Sequence, residues 1–327
     1  MGFTNILVTG GAGYVGSILV PQLLEEGHNV TVLDLMIYGE DVLDKHDNLK
    51  VIKGDIRNIE ILKQNIPGHE VVIHLACISN DPSFELNPTL GRSINLEAFS
   101  PLVKISKDSG VSKFIYASSS SVYGVKEEKN VHEEMLLEPL TDYSKFKAEC
   151  EGVLSEYQQD NFTTVTIRPA TVCGYSKRQR LDLVVNILTN LAYHNRKITV
   201  FGGSQLRPNI HIKDMALAYL SLINCSNDLI AGEIFNVGDE NYSVLELSQI
   251  VKEVIGDDVE FIYSETKDNR SYHISSEKIS KKLDFKPTHS IKQAVIDLRK
   301  AFEEGMLKNP LTNDKYFNIK MMQKINL

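Results

Sequence analysis

Apolar positions in the first half of the chain fall into short β-branched runs separated by stretches of helical spacing. Runs at 5–8, 30–33, 51–52, 71–75, 114–117 and 163–167 predict strands. The stretches 17–26, 59–65 and 95–109 repeat apolar residues at three and four and predict helices. Near-continuous apolar strands alternating with amphipathic helices predict an α/β chain with a parallel sheet covered on both faces. Pro21 falls inside the first predicted helix and is expected to kink or shorten it. After Pro169 the pattern loosens. A helix at 181–192, strands at 198–201 and 259–263, and helices at 244–255, 275–283 and 291–304 predict a smaller second lobe. In open α/β sheets ligands bind at the carboxyl ends of the strands, and a lobe over that edge is expected to bury a substrate.

The length of 327 residues suits two domains or one large one. Lys plus Arg number 35 against 43 for Asp plus Glu, a net charge of −8, which argues against a chain built to grip nucleic acid. Any phosphate ligand must then be held by a few placed arginines and backbone amides. The sequence has neither a basic run leading into an apolar leader nor 18 uninterrupted apolar residues, so no membrane partner and a cytoplasmic location are expected. Cys77, Cys150, Cys173 and Cys225 are widely spaced, a pattern that predicts reduced thiols, no disulfide framework and no metal site.

Candidate chemistry begins at residues 5–16, NILVTGGAGYVG, where a strand runs into Gly10-x-x-Gly13-x-x-Gly16 and then a helix. One glycine permits the sharp turn, the next lets backbone approach a pyrophosphate, and the last lets helix pack on strand. The phosphates then sit at a helix N-terminus. Asp34 ends the second predicted strand about 20 residues on, where a carboxylate accepts both ribose hydroxyls and repels a 2′-phosphate. The pattern predicts a Rossmann-type doubly wound sheet and NAD rather than NADP. Asp55, after the third strand, is a candidate for the adenine amino group.

Tyr143 and Lys147 lie four residues apart in a helical stretch, so phenol and ammonium share one face. A phenol titrates near 10; a neighbouring Lys⁺ and an oxidised nicotinamide are expected to draw it toward neutrality, making it a base for a hydroxyl proton. Lys145, two residues from Tyr143, points away. Upstream, the strand at 114–117 ends in Ser118-Ser119-Ser120-Ser121, which places hydroxyls at a carboxyl end of the sheet.

With these marks the chain resembles the extended short-chain dehydrogenase/reductase family, in its branch of NAD-dependent nucleotide-sugar epimerases and dehydratases. The resemblance also rests on Gly54-Asp55-Ile56, His74-Leu75-Ala76, Val122-Tyr123-Gly124, Arg207-Pro208-x-Ile210-His211-Ile212-x-Asp214 and Phe235-Asn236-Val237-Gly238. It implies Tyr143 as general acid/base, Lys147 as its electrostatic partner and Ser119 as the catalytic hydroxyl. Implied cofactor contacts are Gly10, Gly13, Tyr14, Val15, Gly16, Asp34, Asp55, Ile56, Leu75, Ala76 and Lys147. Arg207 and Arg270 resemble the arginines that clamp a nucleoside-diphosphate sugar, and Thr171 stands where many relatives carry a phosphate-binding Asn. Ser79, Asn80, Ser120 and Arg180 complete the implied substrate set, Arg180 from the basic segment 177–180. A homodimer is implied too, through helices near 95–109 and 143–156. The expected division is a cofactor domain at 1–174 with a returning segment at 208–238, and a substrate lobe at 175–207 and 239–327.

One departure bears on the reaction. Dehydratases of this branch place Asp-Glu after the catalytic hydroxyl, and this chain has Ser120-Ser121. Water elimination is then disfavoured unless a carboxylate such as Asp81 or Glu85 enters from elsewhere. Oxidation at C4 of the sugar remains, leading to a 4-epimerase or, if the ketone leaves, to a net 4-dehydrogenase. A non-catalytic NAD-binding regulator on the same fold is the rival from another class, and it is disfavoured by the retained Tyr/Lys pair.

Overall fold

The computed structural model describes residues 4–128, 130–266 and 273–325. Twelve strands run in chain order: β1 (Asn5–Thr9), β2 (Asn29–Asp34), β3 (Leu49–Lys53), β4 (Val71–His74), β5 (Lys113–Ala117), β6 (Thr163–Pro169), β7 (Thr171–Cys173), β8 (Lys197–Phe201), β9 (Leu206–His211), β10 (Glu233–Val237), β11 (Glu240–Ser243) and β12 (Glu260–Ser264). The helices of the first half are α1 (Gly16–Glu25), α2 (Ile59–Asn65), α3 (Asp81–Glu85), α4 (Pro88–Arg92), α5 (Phe99–Asp108) and α6 (Asp142–Ser155). Those of the second are α7 (Val184–Asn195), α8 (Ile212–Asn224), α9 (Asn227–Ile230), α10 (Val244–Ile255), α11 (Glu277–Leu283), α12 (Ile291–Glu303) and α13 (Asn318–Ile325).

Seven strands form one parallel sheet in the order β10-β6-β5-β4-β1-β2-β3. Alternate residues of β1 face opposite layers, as period-two geometry requires. Ile6 and Val8 pack with Leu19 and Leu23 of α1 and Ala216 and Leu222 of α8. Leu7 packs with Leu62 of α2, Leu102 of α5 and Leu154 of α6. This is the Rossmann-type doubly wound sheet, and an additional α/β lobe accompanies it. That lobe has its own core, in which Val185 and Leu188 of α7, Val251 of α10 and Val295 of α12 enclose Ile198 and Val200 of β8. Two small sheets accompany it, β11-β9-β7 and β12-β8. No helix among the described residues is long and apolar enough to cross a membrane.

Two helices differ from expectation. α1 runs unbroken through Pro21, which sits on its exposed side, so the predicted shortening does not occur. The helix at 95–109 opens instead with a π-helical turn, Ser93–Glu97, before α5. That turn buries Asn95, whose amide donates to the Ile78 carbonyl (3.0 Å) and accepts from the Ile78 N–H (2.8 Å). The irregular turn thereby fixes the loop that follows β4.

Candidate active site

The carboxyl ends of β1, β2, β4, β5 and β6 open onto a cavity of about 480 Å³, a size that suits a small-molecule ligand. At its floor Gly10 adopts φ +75°, and a Cβ there would lie 2.5 Å from the Ala76 amide nitrogen. A Cβ on Gly13 would lie 3.0 Å from the Gly10 carbonyl, and on Gly16 only 2.3 Å from the Gly11 carbonyl. At these glycines backbone packs on backbone with no room for a Cβ, drawing a tight cradle at the N-terminus of α1, as a pyrophosphate requires. Val15, Ile56, Leu75 and Ala76 line the same cavity. Asp34 stands at its edge with one oxygen accepting from Ala12 N–H (3.0 Å) and the other from Met36 N–H (2.8 Å). Burial raises its pKa against those two bonds. The cradle and the carboxylate fit a dinucleotide.

Two expected cofactor residues are engaged elsewhere through their side chains. Tyr14 borders the cavity, but its hydroxyl donates to the Gly174 carbonyl (2.6 Å) and accepts from Asn186 (2.9 Å). Asp55 is not among the lining residues; its carboxylate takes the Arg57 guanidinium at 2.5–3.0 Å.

Tyr143, Ser119 and Lys147 line the same cavity. Tyr143 and Lys147 project from the first two turns of α6, whose start is fixed by a capping box between Thr141 and Ser144. The Lys147 ammonium donates to the Ala117 carbonyl (2.6 Å), and it lies 5.9 Å from the Tyr143 ring centre. Burial pushes the Tyr143 phenol well above 10; nearby Cys77 and Asp81 add to this, while Arg180 and a hydrogen bond with Ser119 oppose it. Among the protein's own groups burial outweighs the charges; the expected drift toward neutrality also counts the positive charge of an oxidised nicotinamide. Ser119 also accepts from the Ser121 N–H (3.1 Å) as the cap of a 3-10 turn at Ser120–Tyr123.

Behind this trio lies a buried ionic network. Glu151, one turn beyond Lys147, accepts from Ser118 and pairs with Arg168 at 2.7 Å. Arg168 reaches on to the Tyr123 hydroxyl (2.7 Å) and the Glu133 carbonyl (3.0 Å). Helix α6 and the serine turn are thus tied together through one guanidinium.

Of the expected substrate residues, Ser79, Asn80, Ser120, Thr171, Arg180 and Arg207 all border the cavity. Asn80 has φ +74° and uses its side-chain oxygen to cap α3, accepting from Ser83 N–H (3.0 Å). Arg180 donates to Ser79 (3.2 Å) and to Asp182 (2.9 Å), while its other terminal nitrogen is buried without a hydrogen-bond partner. Arg270 lies outside the described residues. Cys173 is buried, and burial raises its thiol pKa, so it is no nucleophile.

Sequence reasoning missed Tyr38, Asp182 and Asn318. Tyr38 lies in the cavity wall with the Arg178 guanidinium 3.5 Å from its ring centre. Asn318, at the start of α13, donates to Ser79 (2.9 Å), accepts from Arg178 (2.6 Å) and gives its N–H to Asp182 (3.0 Å). Asp182, two residues from Arg180, was the one readable signal of a buried ion pair.

Comparison with known proteins follows the same lines. The chain is 27% identical to the UDP-glucose 4-epimerase of Corynebacterium glutamicum, over 92% of this chain and 96% of that one. It is 28% identical to the dTDP-D-glucose 4,6-dehydratase of Bos taurus, over 84% and 82% respectively. The solved UDP-glucuronic acid 4-epimerase of Bacillus cereus, in complex with UDP-glucuronic acid and NAD, superposes with a TM-score of 0.83 at 25% identity, covering 92% of this chain and 99% of that one. The glycine cradle and Asp34 of this chain suit the same cofactor. Residues 6–238 match the family model, and the chain belongs to the NAD dependent epimerase/dehydratase family.

Proposed function

We propose that this chain oxidises C4 of a nucleoside-diphosphate sugar and returns the hydride to the other face, as a sugar-nucleotide 4-epimerase. The observation that carries the reading is the convergence of Tyr143, Ser119 and Lys147 on the cavity that also holds the glycine cradle. Gly10, Gly13 and Gly16 would hold the pyrophosphate of NAD and Asp34 its ribose, and NAD would supply hydride acceptance and a positive charge to the site. Lys147, together with that charge, would draw the phenol down from its buried, raised state. Tyr143 then takes the C4 hydroxyl proton, while Ser119 holds the same oxygen by hydrogen bonding. Reprotonation from Tyr143 completes the reverse step on the rotated ketone.

Residues 1–174 with 208–238 hold the cofactor in this reading, and 175–207 with 239–327 supply Arg207 and Arg180 to the substrate. Assembly as a homodimer through α5 and α6 is part of the same proposal. A panel of UDP-, GDP-, dTDP- and CDP-sugars, with products resolved by NMR, tests it. One substrate should give an isomer without net cofactor reduction, and Tyr143→Phe should lower turnover by at least about 100-fold with NAD affinity within about threefold. Stable accumulation of reduced nicotinamide and free ketone would instead make the chain a net dehydrogenase.

A further inference from the structure

Between β7 and α7 the chain runs back onto the first turn of α1. The Gly174 carbonyl accepts from Tyr14 (2.6 Å), Ser176 shares a hydrogen bond with Ser17 (2.7 Å), and Lys177 pairs with Asp44 in the loop after β2. Arg178 comes next. It is 4% exposed and borders the cavity that holds the glycine turn. Its guanidinium stacks on Tyr38, 3.5 Å from the ring centre, and donates to Asn318 (2.6 Å). Its Nε is buried with no hydrogen-bond partner among the described residues. No carboxylate among those residues forms an ion pair with it, because Asp182 pairs with Arg180 instead (2.9 Å). Burial pushes its pKa down to about 10, so the guanidinium is still charged at neutral pH. A buried charge without an ionic partner is costly, and one that borders a cavity calls for an anion there.

We propose that Arg178 is a cofactor residue, giving the pyrophosphate of NAD a charged donor in addition to the backbone amides of the glycine turn. The inference rests on NAD as the cofactor and is independent of the reaction at C4. The Ser176–Ser17 contact, two residues before Arg178, sets this segment against the helix start where the pyrophosphate would lie. Arg178 also opposes the rise that burial imposes on the Asp34 carboxyl, so the two share one end of the cavity. Tyr38 on one face and Asn318 at one terminal nitrogen fix the plane of the guanidinium, so little side-chain freedom is left to lose on binding a phosphate oxygen. Arg180 differs, since it is already bonded to Asp182 and to Ser79 in the loop after β4. The donor comes from the stretch that leads into α7, outside the glycine turn and the strand ends of the main sheet. The fingerprint of glycines and Asp34 therefore does not announce it.

The test is a set of dissociation constants of the whole protein for NADH, ADP-ribose and adenosine, with UDP, GDP, dTDP and CDP alongside. NADH is read by its fluorescence and the other ligands by calorimetry. Arg178→Gln and Arg178→Met both remove the charge without stranding a carboxylate, and the Met variant, which keeps apolar volume against Tyr38, decides if the Gln variant does not fold. NADH and ADP-ribose should bind at least about tenfold more weakly than to wild type, with adenosine and the four nucleoside diphosphates within about threefold. A smaller loss for ADP-ribose overturns the inference. An equal loss for adenosine overturns it too, by giving Arg178 to the base or ribose. So does an equal or larger loss for a nucleoside diphosphate, which would give it to the substrate. None of these readouts needs turnover, so failure of every sugar in the panel would sink the C4 reading and leave this inference to its own result.

Discussion

Gly16 shows how little room the cofactor turn leaves. A methyl there would overlap the Gly11 carbonyl, so Gly16→Ala must open the strand–helix junction. NAD affinity is expected to fall more than about tenfold in a fluorescence titration. His74 makes the site acid-sensitive by a different route. It donates to or accepts from Thr9 at 2.7 Å beneath Tyr116 and Phe99, and burial, aided by repulsion from Lys147, pushes its imidazole down from 6.5 to about 3. The unfolded chain binds a proton there below pH 6.5 that the native chain excludes, so stability falls as pH drops through the window from 6.5 to 3. At pH 5 the loss is about 2 kcal/mol. Urea unfolding at pH 7 and pH 5 measures it, and His74→Asn should lose that share of the pH dependence. The Glu151–Arg168 pair predicts a larger effect. Its side chains are 5% and 3% exposed, so Arg168→Met strands a buried carboxylate and should cost about 3–5 kcal/mol in the same assay.

Helix α13 is short, yet Asn318 at its start joins Ser79 in the loop after β4 to Arg178 and Asp182 of the other lobe. Asn318→Ala should cost about 1–3 kcal/mol in thermal unfolding and raise the sugar-nucleotide KM, through loss of the order it imposes on Ser79 and Arg178. That helix was not legible in the sequence, nor was α8, and the reasons differ. Residues 212–224 are buried on nearly every side, packed against α1, β7 and β9, so they lack the apolar-polar contrast that marks a surface helix. Helices α3 and α4 span five residues each, too few to show a period. Their real signals are Asn80 before Asp81-Pro82 and Asn87 before Pro88, a capping residue followed by proline near the first helical position. The inner strands β1, β2, β4, β5 and β6 were legible because burial on both faces gives near-continuous apolar runs, whereas the mostly exposed edge strand β3 showed only at 51–52 and the edge strand β10 was not predicted. The glycine turn and the Tyr/Lys pair were legible because their spacing is itself the chemistry. Arg180's setting was not, since it depends on residues 79 and 182 meeting in space.

The chain enters the main sheet through β1 to β6, leaves it for β7 to β9, returns with α8 and β10, and leaves again. Strand β10 pairs with β6 over Glu233–Val237, and α8 packs against α1. A fragment of residues 1–174 therefore lacks an edge strand and one covering helix, and it exposes Leu19 and Leu23. Such a fragment should fail to give a cooperative melt by circular dichroism, whereas the full chain should unfold as one unit. The same path has a bearing on ancestry. A gene for this fold cannot acquire a foreign substrate lobe by one crossover, because the lobe is encoded in separate stretches with framework between them. New substrates are reached instead by changing single side chains along the loops that carry Ser79, Asp81 and Arg180, while the cofactor turn stays as it is.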